Sequence, residues 1–277
     1  MASILRAFPP REAQWGRPGD PGLFGPDSLA WRVNGEAVLL LGGGRALLMQ
    51  LANPAVAAAV ADHSGFPHDA LGRLIRTMNT TFAITFGDTE QSRLAASRVN
   101  ALHERVRGDA YDALDPDLLL WVHATLVDSA LVVHDRFVGT LTPQEREGYY
   151  REMKRQATVL RVPPSVLPRT LGSFERYIET QLARLEVTDV ARRLAGDILS
   201  PPVPLLLRPP AMAFGLVTAS LLPEPLREGY RIPRRRLVDL GISVSAAASR
   251  ATLPYLPAAL RTWPGATAAR RRAAPTA

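Results

Sequence analysis

Hydrophobic and polar residues follow a helical period in three consecutive stretches between residues 69 and 134. In the first, residues 69–86, apolar side chains are spaced by three and four positions, which places them on one helix face. They are Leu71, Leu74, Ile75, Met78 and Phe82. The pattern predicts an amphipathic helix that Gly87 ends, because glycine readily adopts the conformation after a last helical turn.

A second stripe on this helix is polar and contains Arg73, Arg76, Thr77 and Thr80. Guanidinium groups offer paired donors and threonine adds a hydroxyl, so such a face can clamp an anion. Haem propionates, a phosphate or a substrate carboxylate would each fit. An ordinary solvated helix face has the same spacing, and both interpretations stay open.

The second stretch begins at Asp88, and Gln91 three residues later completes a capping-box pattern. We expect this helix to run to Gly108. Its apolar seam includes Leu102, and His103 stands next to the seam, so we expect the imidazole to point inward.

The third stretch starts with Asp115 and Pro116, residue types that suit the cap and first turn of a helix. Residues 118–133 are nearly all apolar, apart from His123 and Asp128 among a few polar positions. A membrane span needs roughly 20 apolar residues and tolerates internal charge poorly. The pattern therefore favours a buried core helix.

His103 and His123 each have two interpretations. A buried histidine is often a core residue with hydrogen-bond partners, and a neutral imidazole is also a common metal ligand. The chain contains no cysteine, which excludes a thiolate ligand, and it lacks the HxxxH and HExxH zinc patterns.

Two further stretches carry alternatives. The glycine triplet at 42–44 resembles a phosphate cradle, but no GK[ST] follows, so close helix packing is the better interpretation. Residues 201–225 contain short apolar runs separated by prolines. They read as core helices with proline-bounded ends, as a hydrophobic substrate entrance, or as a segment that lies against a membrane.

Composition sets the class of protein. With 277 residues and 47% hydrophobic content, the chain can build one sizeable core. No strand-like alternation or repeat stands out, so we expect an all-α fold. The predicted organisation is an N-terminal arm over 1–27, one all-helical domain over 28–262 and a basic, disordered tail over 263–277.

The net charge of +7 comes almost entirely from arginine. Because these arginines are scattered over many helices, we do not expect nucleic-acid binding. The absence of cysteine and of an apolar leader fits a cytoplasmic protein. Contact of the basic tail with an anionic membrane surface stays open. The oligomeric state is not predicted.

Several segments together resemble the family of MpaB-type and latex-clearing (rubber) oxygenases, closest to its bacterial MpaB-like branch. The likeness covers roughly residues 30–230. The segments that carry it are RLIRT…ITFGD (73–88), LHERVRG (102–108), LLLWVHATLVDSAL (118–131), RFVGTLTPQEREGYYREMK (136–154) and VPPSVLP (162–168).

The resemblance implies an all-α domain with haem b between the central helices, O₂ as co-substrate and a small lipophilic, isoprenoid-like substrate. Arg73 and Thr77 match the family's haem-side pair, and His103 matches the proximal iron ligand. His123 is typical of the MpaB-like branch and is the alternative or second axial ligand, or a distal acid–base group. Arg76 stands where the latex-clearing branch has a distal lysine, but arginine stays protonated and is a poor ligand for iron.

The resemblance also has a gap. The latex-clearing enzymes use a glutamate base upstream of the arginine, and no glutamate occurs between Gly44 and Asp88. The nearest polar candidates are Asp62 and His63. Three functions follow: a haem-dependent oxygenase, as the leading hypothesis, a haem or lipophile binding protein without turnover, and a helical scaffold without a cofactor.

Overall fold

The computed structural model describes residues 16–63 and 70–274; the side chains of residues 70–76 and 259 lie outside that description. Within these ranges the chain forms helices α1–α14, three short 3₁₀ helices and one two-residue hairpin. The α-helices span, in chain order, Leu29–Asn34, Gly42–Leu51, Pro54–His63, Ala70–Phe86, Thr89–His103, Pro116–Phe137, Pro143–Val159, Leu171–Arg184, Asp189–Leu199, Arg208–Leu221, Glu224–Gly229, Arg236–Thr252, Ala258–Arg261 and Pro264–Ala273. The 3₁₀ helices are Ala37–Leu41, Leu205–Leu207 and Leu253–Tyr255.

The all-α prediction is confirmed. The hairpin pairs Arg107–Gly108 with Tyr111–Asp112 in antiparallel register, directly after α5. Asn53 caps α3, because its side-chain oxygen accepts from the backbone N–H of Ala55 at 3.0 Å.

The centre of the fold is the packing of α2 against α6. At Gly42 a side chain would stand 3.1 Å from Val133 Cγ2, and at Gly44 it would stand 2.2 Å from Thr218 Oγ1 on α10. Glycine therefore lets three helices approach closely, which confirms the packing interpretation of the triplet. The indole N–H of the buried Trp121 donates to the Met49 carbonyl at 3.1 Å and fixes the other end of α2.

Helix α6 is a core helix. It is the one helix of the described ranges whose length and composition would allow it to cross a membrane, but 61% of its most apolar window is buried inside the fold. Leu119, Leu120, Val127 and Leu131 belong to the buried residues. The prediction of a core helix over 118–133 agrees with this burial.

Helices α4 and α5 form a pair joined by a tight turn. Asp88 accepts from the Gln91 N–H at 2.7 Å, and Gln91 accepts from the Asp88 N–H, so the predicted capping box is present. The prediction that α5 reaches Gly108 is wrong: the helix ends at His103, and the chain turns into the hairpin. Leu102 therefore lies on the last turn of α5 and is 60% exposed rather than part of the core.

The prediction of a disordered tail from residue 263 is also wrong for most of that segment. Pro264–Ala273 is helical, with Ala266 and Ala269 fully buried. The buried Arg272 donates to the Phe86 carbonyl at 2.8 Å, at the end of α4. Residues 275–277 lie outside the described residues, as do residues 1–15 of the predicted arm.

Candidate functional site

A narrow cleft lies between α2, α4, α6 and α7. It has a cavity volume of about 100 Å³, and its walls are mainly apolar. Its lining residues include Leu39, Gln50, Thr77, Phe82, Leu126 and Met153. No residue of the 201–225 segment is among the lining residues, so that segment is not the entrance of this cleft.

Polar side chains that line the cleft form hydrogen bonds with neighbouring side chains. The Gln50 amide donates to the Thr125 hydroxyl at 3.1 Å, and the Tyr149 hydroxyl donates to Asn34 Oδ1 at 3.2 Å. Burial raises the pKa of Tyr149 well above its usual value, so the phenol stays protonated. The cleft thus presents neutral walls, which suit an uncharged ligand better than an ionic one.

Thr77 connects this cleft with the polar stripe of α4. It is exposed and lines the cleft, together with Met78, Thr81 and Phe82 from the same helix. Arg73 lies one turn before Thr77, so positions 73, 77 and 81 share one face of α4. The side chains of Arg73 and Arg76 themselves lie outside the described residues.

His103 occupies the last position of α5 and is half-buried. Because a tight turn makes α4 and α5 antiparallel, residues equally far from the turn lie at the same end of the pair. Arg73 and His103 meet that condition. Positions 73 and 103 are thus both far from the turn at the same end of the pair, and His103 is not among the residues that line the cleft.

His123 has a different environment. It is 5% exposed within the core, and its Nε2 atom has no hydrogen-bond partner among the described residues. Burial lowers its pKa to about 4, against a smaller raising effect of a hydrogen bond with the Met153 backbone. The ring is therefore neutral near pH 7. His123 lies one turn before Leu126 on α6, beside the cleft but not in its lining.

Asp62 and His63 are exposed at the end of α3, next to the hairpin that follows His103. The Tyr111 hydroxyl donates to Asp62 at 2.9 Å, and the rings of His63 and Tyr111 pack edge to face. Burial and the bond to Asp62 raise the pKa of Tyr111. Asp62 and His63, the two acid–base candidates, thus lie near the hairpin that follows His103. The Asp62 carboxylate already accepts a hydrogen bond from Tyr111.

Sequence reasoning missed one buried ion pair. Arg45, 4% exposed, lies 2.7 Å from Asp128 and also donates to Ser129 Oγ at 2.8 Å and to the Leu221 carbonyl at 2.9 Å. It ties α2 to α6 and α10. The signal was Asp128 inside an apolar helix, since a buried carboxylate requires a cationic partner.

The residues present fit a haem in their chemistry. The group needs a neutral imidazole with an available nitrogen, polar groups for its propionates and apolar surroundings. The buried, uncharged His123 with its unpartnered Nε2 meets the first need, and His103 is a second imidazole at the end of α5. Sites for drug-sized ligands occupy about 300–1,000 Å³. The cleft itself, at about 100 Å³, suits a slender apolar chain rather than a macrocycle.

Comparison with known proteins identifies the family of the chain. The sequence profile of the family described as "ER-bound oxygenase mpaB/B'/Rubber oxygenase, catalytic domain" matches residues 31–252. Two mycobacterial relatives, Uncharacterized protein Mb2261 of Mycobacterium bovis and Uncharacterized protein Rv2237 of Mycobacterium tuberculosis, are each 32% identical over 190 residues. The alignment covers 64% of this chain and 74% of each relative. No solved structure matches the chain significantly. The chain therefore belongs to the family of MpaB and rubber oxygenase catalytic domains.

Proposed function

We propose that the protein is a haem b-dependent oxygenase that uses O₂ to cleave a C=C bond of a lipophilic, isoprenoid-like substrate. One observation carries the proposal most directly. Thr77, which the family resemblance assigns to the haem side, is also a wall of the apolar cleft. A cofactor at the His103 end of α4 and α5 and a substrate chain in the cleft would thus share a boundary.

On this proposal His103 is the protein ligand of the iron. Arg73 and Thr77 bind the propionates, by charge and by a hydroxyl donor. Arg76 would not serve as an iron ligand, because its guanidinium stays protonated. When bound, haem supplies the oxidative chemistry that side chains cannot supply.

The cleft then selects and orients the substrate. Its walls of Leu39, Phe82, Leu126 and Met153 exclude water and offer no charge, which favours a hydrocarbon chain. The neutral His123 is a distal acid–base candidate on the Met153 side, because an unprotonated imidazole can accept a proton near pH 7.

A second function, binding of haem or a lipophile without turnover, is favoured by one observation. No glutamate occurs between Gly44 and Asp88, and the nearest carboxylate on α3, Asp62, already accepts from Tyr111. A protein without an available base near Asp62 would bind the cofactor and the substrate but would not catalyse their reaction with O₂.

Oxygen uptake by the haem-reconstituted protein separates the two functions. Squalene offers isolated C=C bonds, and squalane is its saturated counterpart with the same carbon skeleton. We expect O₂ consumption and carbonyl products with squalene and neither with squalane. Stoichiometric haem without uptake on squalene or on longer polyisoprene would contradict the oxygenase proposal and support the binding function.

A further inference from the structure

Large apolar side chains are exposed mainly in one part of the chain. Among the described residues, eleven large hydrophobic side chains are exposed, and nine of them lie between residues 205 and 260. Those nine are Leu205, Leu206, Met212, Leu237, Leu240, Val244, Tyr255, Leu256 and Leu260. Scattered single leucines are normal on a protein surface, but a concentration of this kind marks an interaction surface.

Helix α12 shows the pattern most clearly. Leu237, Leu240 and Val244 are 84%, 60% and 62% exposed, and their spacing of three and four positions puts them on one face. The opposite face carries Ile242 and Ala246, which are buried against α6 and α10. The helix is therefore apolar on both sides, and its outer face has no partner in the described fold.

Arginines accompany this face. Residues 205–263 contain eight arginines and three acidic residues. Two of the acids are already engaged, Glu224 with Arg234 at 2.6 Å and Asp239 with Arg227 at 3.5 Å. Arg235 and Arg236, directly before Leu237, are exposed and form no ion pair with any described residue. Arg208, which follows the exposed Leu205 and Leu206, is likewise exposed and forms no ion pair with any described residue.

We propose that the outer face of α12, with Arg235 and Arg236, docks on an anionic lipid bilayer. An amphipathic helix with basic residues at its edge lies in the plane of a membrane surface, with its apolar side chains among the acyl chains and its cations at the head groups. Arginine suits this position because its stem is apolar and its charge reaches the head-group layer.

Charge complementarity selects this occupant over two others. A symmetric dimer through the same face would bury the leucines, but the two copies of residues 205–263 would add sixteen arginines against six acidic residues and so would leave the arginines without anionic partners. A nucleic acid would neutralise the arginines but would leave Leu237, Leu240 and Val244 against a polar backbone. An anionic bilayer satisfies the charges and buries the leucines together.

The docking face is also close to the cleft in the fold. Leu39 lines the cleft and packs on the cluster that contains Ile242 and Ala246 beneath α12. The inner side of α12 and Leu39 thus lie between the proposed membrane face and the cleft. The docking inference does not rest on haem or on turnover, since binding to lipid can be measured without either.

Vesicle flotation with the full chain tests the proposal. We expect the protein to float with vesicles of phosphatidylcholine and phosphatidylglycerol and not with vesicles of phosphatidylcholine alone. The double variant Arg235→Gln/Arg236→Gln should lower the partition coefficient roughly thirtyfold, from about fivefold per arginine. Leu240→Ser/Val244→Ser should lower it in the same direction, because two apolar anchors are lost.

Matched controls lie on α5, which carries exposed residues of the same types. Arg93→Gln/Arg98→Gln removes the same charge, and Leu94→Ser removes an exposed leucine. Both should bind anionic vesicles like the unchanged chain. The proposal is overturned if the unchanged chain does not float with anionic vesicles, or if the α5 charge variant loses as much binding as the α12 variant. Self-association that Leu240→Ser/Val244→Ser abolishes would also contradict it, since the face would then be a dimer interface.

Discussion

Polar side chains have different environments in the core around α6 and at the end of the α4–α5 pair that contains Thr77 and His103, which we call the open end. In the core, Arg45 and Asp128 neutralise each other, and His123 stays uncharged because burial lowers its pKa. At the α4–α5 end, His103 and Thr77 are partly or fully exposed. The contrast is one of exposure: the polar residues of the core are enclosed by protein, whereas Thr77 and His103 are partly or fully open to solvent.

The largest expected effect is on the stability of the core. Arg45→Ala should lower the free energy of unfolding by about 3–5 kcal/mol, because Asp128 would stay partly buried without its cation. Urea unfolding measures this loss. Arg98→Ala, on the exposed face of α5, should change stability by less than about 0.5 kcal/mol. Equal effects of the two variants would remove the distinction between the two regions.

The second prediction concerns pH. His123 has a pKa of about 4 in the folded state and an ordinary value of 6.5 when exposed. Between these values the unfolded chain binds more protons, so folding stability is complete above pH 6.5 and declines as pH falls toward 4. The loss should reach about 3 kcal/mol. Haem-free protein should show this decline, and His123→Leu should lack that part of it; identical pH profiles would refute the assignment.

The third prediction separates the histidines by ligand binding. His103→Ala should weaken haem binding on the order of hundredfold, about 2.8 kcal/mol. His123→Ala should keep most of the haem, although it lowers stability. Titration of each variant with haemin, followed by absorbance, measures both affinities. The reverse result would move the iron ligand to His123 and the cofactor toward the core.

A smaller effect is expected at the turn between α4 and α5. Asp88 accepts from the backbone N–H groups of Gln91 at 2.7 Å and of Arg17 at 2.8 Å. Asp88→Ala should cost about 1–2 kcal/mol in thermal or urea unfolding, whereas Asp88→Asn keeps an acceptor and should cost less. An equal cost for both variants would show that the carboxylate charge, rather than the cap, stabilises the turn.

Local signals predicted the helices well. The cap at Asp88 depends on a residue three positions away, so the sequence alone contains it. The end of α5 was missed because His103 is followed by polar residues that a helix and a hairpin tolerate equally. The packing of α14, including Arg272 on the end of α4, depends on contacts between distant segments, which no local pattern encodes.

The candidate site was predictable only in part. That positions 73 and 77 share a helix face follows from the helical period, which the sequence contains. The cleft does not follow, since α2 contributes Gln50 and α7 contributes Met153 to its walls. The ion pair of Arg45 with Asp128 joins two helices far apart in sequence and was likewise invisible to pattern analysis.

The absorption spectrum of the full chain after haem reconstitution, oxidised and then reduced, tests the central claim most directly. We predict a Soret band close to stoichiometric with protein, and a reduced spectrum with one axial histidine. No Soret band after reconstitution would contradict a haem-dependent oxygenase and would leave positions 73, 77 and 103 for another ligand.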